Sequence, residues 1–170
     1  INNAGSSALA TTDAGTTDRW IVYSASPASD TFGGLLSANK AYWGSTYASA
    51  PPASLGTGNR YVFSNSPTIT TTDAQKTYGD TIDVSANYAL SGAYKTSAAT
   101  YGSVYLAVTD SDIFSTLPTA ASTGSDISAA VGSYSITASG AVAKAGYGFA
   151  YASTGNGTLT VNPRIITVTG

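Results

Sequence analysis

The sequence predicts an all-β protein built from two small β modules in series, each a β-sandwich or β-grasp-like fold. Glu, Met, His and Cys are absent and Thr, Tyr and Val are common, so strand-forming residues outweigh helix-forming ones. Aromatic residues make up 11% of the chain, which supplies the apolar bulk that a folded core needs. Short β-branched and aromatic runs recur along the chain, separated by Gly, Asn and Ser turns.

Composition and charge exclude several classes of function. The net charge of −2 and a pI near 4.6 leave no basic footprint, which argues against nucleic acid and anionic membranes as partners. No apolar run is long enough to span a bilayer, so we expect no membrane insertion. The usual general bases and zinc ligands are missing with His, Cys and Glu. We therefore predict that the protein is not an enzyme and has no cofactor.

The first half of the chain divides into a lead-in and a first β module. Residues 1–18 are mostly small and polar. We interpret them as a loose lead-in or as the last turn of a solenoid that precedes them. The first module covers residues 19–66, where 19–24 (RWIVYS) and 59–64 (NRYVFS) are predicted to be two strands of one sheet. The connection between them is too long to lack structure, so we expect another short strand or two within it.

A second β module is predicted over residues 67–162. Its predicted strands cover 68–73, 82–88, 99–110, 132–139, 146–153 and 158–161. A single helical turn is predicted within 111–117, capped by Ser111 or Asp112.

The last residues repeat the opening of this second module. Residues 163–169 (PRIITVT) match residues 67–72 (PTITTT) in their proline and their alternating β-branched residues. About one small domain length separates the two prolines. We expect residues 163–170 to open the next repeat of an array, and to be poorly ordered or recruited as an extra edge strand by 67–162.

Three short segments carry a resemblance to a known family. TITTTDAQKTYGD, VGSYSIT and GTLTVNPRIITVTG resemble the MBG-type repeat of filamentous-haemagglutinin-like bacterial adhesins, which are exported by two-partner secretion. Residues 19–66 are similar to the segment that precedes such repeats and usually follows a β-solenoid. The resemblance implies a secreted protein on the outer surface of a Gram-negative bacterium, with an outer-membrane secretion partner. It brings no catalytic residues.

Two acidic motifs invite interpretation as sites. Tyr78, Gly79 and Asp80 are predicted to form a structural turn, with a positive φ at Gly79 and the Tyr78 ring packed down. Asp110 and Asp112 are the candidate metal ligands, but two carboxylates are few for a Ca²⁺ shell of about six to eight oxygens. We therefore predict no metal site and interpret this pair as a loop or helix cap.

An aromatic cluster supplies the alternative function. Tyr42, Trp43 and Tyr47 lie within residues 40–47 (KAYWGSTY), where exposed rings could stack on sugars. The competing interpretation is that these rings cap the small first module. The resemblance to adhesin repeats implies a stalk, spacer or surface-contact segment that meets a host or neighbouring cell. The alternative is a lectin-like carbohydrate-binding module that uses this cluster to bind glycan.

Overall fold

The computed structural model describes residues 19–92, Tyr94 and residues 100–168. The predicted lead-in 1–18 lies outside the described residues, as do residues 169–170. Strands dominate the described part, and they form several small sheets, which confirms the all-β prediction. The strands are β1 (Ile21–Ser24), β2 (Tyr42–Trp43), β3 (Arg60–Phe63), β4 (Thr68–Thr71), β5 (Ala74–Thr77), β6 (Tyr88–Ser91), β7 (Phe114–Thr116), β8 (Thr119–Ala121), β9 (Gly132–Ser135), β10 (Thr137–Ser139), β11 (Val142–Ala143), β12 (Ala150–Tyr151) and β13 (Thr158–Asn162).

Helical structure in the described ranges is limited to short pieces. A four-residue helix, α1, covers Asp110–Ile113, and 3-10 turns lie at Pro27–Ser29, Pro52–Ser54 and Thr123–Ser125. None of the helices in this part of the chain has the length and apolar character needed to cross a membrane.

The strands pair into five small sheets. Three have three strands, in the orders β1-β3-β2, β12-β4-β6 and β5-β13-β9. Two are pairs, β10-β8 and β11-β7. Several neighbours are far apart in sequence, so most of the pairing is non-local.

The contacts divide the chain into two compact units that are interleaved in sequence. The first comprises the described residues up to Thr68, those within Ser91–Ser115, and Ala143–Ala150. The second comprises Ile69–Leu90, Thr116–Val142 and the described residues from Tyr151 onward. The sequence placed 67–162 in one module, whereas the contacts assign 91–115 and 143–150 to the first unit. The reason is that the first of these segments supplies the buried residues Val104 and Tyr105, and the second supplies Tyr147, whose ring lies 4.7 Å from that of Tyr42.

A parallel sheet forms the centre of the first unit. β1 and β3 pair directly, as predicted, with Ile21 opposite Arg60, and the pairing is parallel. β2, the short strand expected within the connection, pairs parallel to the other side of β3. Parallel sheets are usually covered on both faces. Both faces of β3 are covered here too.

Aromatic rings cover one face of β3. The Tyr61 ring contacts Trp20 at 5.1 Å and Phe32 at 5.0 Å between centroids, and Phe63 lies 5.6 Å from Tyr105. Val62 points to the opposite face, where it packs with the buried residues Ala50 and Leu55. The alternation along β3 therefore places an aromatic cluster on one side and an aliphatic one on the other.

The second unit is organised around β13. This strand pairs parallel to β5 on one side and antiparallel to β9 on the other. Leu159 is fully buried and packs with Val84, Ala120 and Ile136. Thr158 and Thr160 alternate with Leu159 and Val161, so one face of β13 is apolar, and both of its apolar residues are buried.

Two predicted strands are replaced by turns, in each case for a local reason. Residues 82–87 are not a strand, and β6 begins only at Tyr88, because the Asp83 carboxylate accepts a hydrogen bond from the Ser85 N–H and bends the backbone. The described part of 99–110 is also not a strand, since Gly102 and Ser103 take φ values of 71° and 63°. A left-handed pair of residues cannot continue an extended strand.

Candidate functional site

The aromatic cluster of residues 40–47 does not form an exposed face. Trp43 is 1% exposed, and its ring lies 4.8 Å from Phe63 and 6.2 Å from Tyr105 between centroids. Its position in the parallel sheet points the indole into the core of the first unit. Trp43 therefore cannot offer a ring face to a sugar, and its assignment as a ligand-binding residue is wrong.

The two tyrosines of the cluster point in different ways. Tyr42 is half-buried, with the Arg60 guanidinium 5.5 Å above its ring and Tyr147 at 4.7 Å. Burial, and after it the neighbouring Tyr42, raises the pKa of Tyr147. Tyr47 is 65% exposed, and its ring makes an edge contact with Tyr23. Of the three predicted ligand-binding residues, only Tyr47 presents most of its side chain to solvent.

The carboxylate of Asp112 has a structural role. Thr109 is the N-cap of α1, and Asp112 at the third helical position accepts a hydrogen bond from the Thr109 N–H at 2.8 Å. The predicted helical turn is present, but its cap is Thr109, not Ser111 or Asp112. Lys40 Nζ also lies 2.7 Å from the same carboxyl group. Partial burial acts to raise the pKa of Asp112, but the hydrogen bonds from Lys40 and Thr109 outweigh it and hold this pKa at about 2.

Asp110, the other candidate metal ligand, also has a partner within the protein. Its carboxylate accepts a 2.9 Å hydrogen bond from the hydroxyl of Tyr94, which is 1% exposed. Burial, followed by this bond to Asp110, raises the pKa of Tyr94. Within residues 19–92, 94 and 100–168, no group of three or more carboxylates or other ligating side chains is gathered where it could hold a metal ion. Both carboxylates of this motif are thus engaged within the protein, Asp112 in the N-terminal cap of α1 and Asp110 with the Tyr94 hydroxyl.

The predicted turn at residues 78–80 is present. Gly79 has a φ of 84°, and the Asp80 N–H donates to the Thr77 carbonyl at 3.1 Å. The backbone conformation is one that favours glycine, as predicted. Tyr78 differs from the prediction: 47% of its side chain is exposed, so its ring does not pack down.

Two cations that the sequence did not single out hold this turn. Lys76 is 7% exposed, and its Nζ donates to the carbonyls of Asp80, at 3.0 Å, and of Asp126. Arg164 Nε donates to the Tyr78 carbonyl at 2.8 Å, and its guanidinium pairs with the Asp80 carboxylate. The one signal in the sequence is that charged residues are rare, at 9% of the chain. Each charged residue at the end of a strand is therefore a candidate for a specific partner.

Residues 163–168 lie outside every sheet. They follow β13 directly and form neither a strand nor a turn. Ile165 is 90% exposed, Ile166 80% and Val168 88%. The segment is therefore not recruited as an edge strand by the second unit. Its attachment is the contact of Arg164 with the 78–80 turn.

Two open depressions lie on the surface of the second unit. One is lined by residues 73–75 with Thr158 and Thr160, and the other by hydroxyl-bearing residues around Tyr134. The single carboxylate of the first, from Asp73, accepts a hydrogen bond from the Thr158 N–H at 2.8 Å. Neither depression brings two acidic groups together.

Comparison with known proteins adds no relative: no protein-family model, no curated protein and no solved structure matches this chain.

Proposed function

We propose that this chain is a segment of a secreted bacterial surface adhesin, and that it acts as a stalk or spacer rather than as an enzyme. The resemblance of residues 67–170 to MBG-type repeats supports the proposal. The carboxylates of the candidate motifs support it too, since Asp80, Asp110 and Asp112 each bind another group of the protein itself. In this proposal the parent protein leaves the cell through an outer-membrane secretion partner and stands on the surface of a Gram-negative bacterium. It then meets a host or neighbouring cell.

The exposure of residues 163–168 is the observation that carries the proposal. Pro67 and Pro163 each precede a β-branched run, and Ile69 and Ile165 occupy the same place after them. Ile69 is 1% exposed in β4, whereas Ile165 is 90% exposed. Burial of an isoleucine side chain is worth about 1.5–3 kcal/mol. A following module that used 164–168 as its first strand would gain this free energy, which is what a serial array requires.

The lectin alternative has weaker support. It requires a cluster of exposed rings, and Trp43 is in the core while Tyr42 is half-buried against Tyr147. Tyr47 alone gives a single exposed ring. One ring is a small platform for a sugar, so we favour the spacer.

Fab fragments raised against the folded chain test surface display. We expect them to label intact cells of the source organism, because the proposal places the segment outside the outer membrane. As a spacer, the segment covered with Fab should leave attachment to host cells unchanged. Labelling that requires opened cells would refute display, and loss of attachment would favour direct surface contact by this segment.

The coding sequence tests the array independently. In the second module, the Tyr-Gly-Asp turn begins eleven residues after Pro67. We expect a similar turn about eleven residues after Pro163 in the parent protein. A parent sequence that continues past Gly170 with no such turn would count against the array.

A further inference from the structure

We propose that the β5–β13 ladder is a mechanical clamp that resists stretching of the chain along its length. The inference rests on the proposed stalk function, because only a segment under tension has a use for such a clamp. It assigns a second property to the segment: resistance to force in one direction, in addition to length.

The direction of the two strands determines how tension reaches them. β5 and β13 run parallel, with Leu159 opposite Ala74 and Asn162 opposite Thr77. A pull applied at Thr72 loads β5 from its N-terminal end and draws it backwards. Tension from the C-terminal side leaves β13 through Pro163 and pulls it forwards. The two strands are therefore loaded in shear, and the evenly spaced bonds of a parallel ladder share the load.

Hydrogen bonds extend the ladder at both ends. At the start, the Asp73 carboxylate accepts from the Thr158 N–H at 2.8 Å. At the far end, the Tyr78 N–H donates to the Asn162 carbonyl at 2.8 Å. Beyond it, Arg164 binds the Tyr78 carbonyl at 2.8 Å. The ladder thus begins and ends in a side-chain contact, so neither end is free to fray.

Side-chain packing opposes sliding of β13. Leu159 and Val161 are 0% and 1% exposed, and Leu159 sits in the core of the second unit. A slip of one residue along β5 would turn this apolar face outward. β9 pairs with the opposite edge of β13, from Thr158 opposite Ser135 to Val161 opposite Gly132, so β13 is held from both sides.

The same ladder has a weak direction. If both strands are pulled from their C-terminal ends, the bonds load one after another and the ladder opens like a zipper. Residue Thr81 follows the C-terminal end of β5, just as Ile165 follows that of β13. A pull between these two positions therefore peels the strands apart.

Single-molecule force spectroscopy on the full 170-residue chain separates the two directions. The chain has no cysteine, so engineered pairs are its only thiols. Thr72→Cys with Ile165→Cys loads the ladder in shear, and Thr81→Cys with Ile165→Cys loads it in peeling. All three positions are exposed. The two cysteine pairs enclose chain lengths that differ by nine residues. If the same structure unfolds in both experiments, the extension released should differ by roughly 30 Å.

We expect the shear pair to break at a force at least about twofold higher than the peeling pair, since forced unfolding follows the unfolding barrier along the pulled direction. Equal forces, or a higher force in peeling, would overturn the clamp.

Asp73 provides a matched test of the ladder end. Asp73→Ala should lower the shear force and leave the peeling force unchanged, because peeling starts at the opposite end. Asp73→Asn keeps an acceptor oxygen and should restore most of the shear force. If Asp73→Ala lowers the force equally in both directions, the change destabilises the fold in general. That outcome would contradict a specific role of Asp73 at the start of the ladder.

The clamp and the adhesin proposal fail separately. Equal forces in the two directions overturn the clamp whatever the Fab fragments label on cells. Absence of surface labelling overturns display without changing the measured force ratio.

Discussion

Replacement of Trp43 by alanine removes the largest fully buried side chain in the described part of the chain. The indole packs against Phe63 at 4.8 Å and Tyr105 at 6.2 Å between ring centroids. Trp43 on β2 and Phe63 on β3 are opposite each other on adjacent parallel strands, so the cavity left by the change would lie at the centre of the first unit. The surrounding rings are themselves held in place, so they can collapse into it only in part.

The expected loss can be worked from this packing. Truncation of a buried Trp or Phe to Ala costs about 3–5 kcal/mol of the free energy of unfolding. Each aromatic pair adds about 0.5–1.5 kcal/mol beyond the area it buries, and two pairs are lost here, so we expect the upper part of that range. With a urea dependence of about 2 kcal/mol per M, the midpoint should fall by about 2 M.

Urea unfolding followed by tryptophan fluorescence measures this loss. Trp20 remains as the single reporter in Trp43→Ala, and it lies in the same unit at 8% exposure. Tyr47→Ala is the matched control: Tyr47 is 65% exposed, so its loss should cost less than about 1 kcal/mol. A Trp43→Ala protein with an unchanged midpoint would refute the burial argument. Loss of glycan binding in that same protein would restore the lectin alternative.

Three further predictions concern charge and backbone. The pKa of Asp112 is lowered to about 2 in the fold, so its contribution to stability is present above its unfolded pKa of about 3.8 and is lost as pH falls towards 2. Asp112→Asn should flatten this part of a plot of urea midpoint against pH, and an unchanged slope would contradict the assignment. Gly44→Ala should lower the free energy of unfolding by more than about 3 kcal/mol in thermal or urea unfolding, since its Cβ would lie 2.4 Å from the Gly148 carbonyl oxygen. Gly155 is the control, because it has a similarly positive φ but open space around it, and Gly155→Ala should cost only about 1–2 kcal/mol. Equal losses would show that close approach has no role. Arg164→Ala should change the free energy of unfolding by less than about 1 kcal/mol, because its ion pair is exposed, and a larger loss in urea would show a structural role beyond that contact.

The elements that the sequence predicted well have strong local patterns. β1, β3 and β13 are short runs of β-branched and aromatic residues bounded by turns, and each is a strand within a residue or two of the expected bounds. The glycine at position 79 was likewise recognisable, since a positive φ limits the choice of residue.

The elements it missed depend on tertiary contacts. β5 has the sequence AQKT, which carries no β-branched residue before Thr77, and it is a strand because β13 pairs with it. Residues 82–88 have the alternation of a strand, but the Asp83 carboxylate accepts a hydrogen bond from the Ser85 N–H and turns the backbone away from an extended conformation. Local propensity is weak compared with such contacts.

The candidate site shows the same division. That 78–80 is a turn could be predicted from its own residues, but its contact with Arg164 could not, because 86 residues separate Tyr78 from Arg164. The second acceptor of Lys76, the Asp126 carbonyl, is likewise distant in sequence. The burial of Trp43 also depends on a distant residue, Tyr105. A sequence pattern can indicate that rings cluster, but the chain that covers them decides whether they are exposed.

The interleaving of the two units sets the order in which the chain can fold during synthesis. Trp43 accepts a 2.8 Å hydrogen bond at its carbonyl from the N–H of Gly148, and Ser37 donates to the carbonyl of Val104 at 2.8 Å. All three strands of the central sheet of the first unit have been synthesised by residue 63. The hydrogen bond from Gly148 to Trp43 can form only after Gly148 has emerged from the ribosome. Such long separations slow folding. The rings of Trp43 and Phe63 therefore lack their contact with Tyr105, and the ring of Tyr42 lacks its contact with Tyr147, until those later residues have been synthesised.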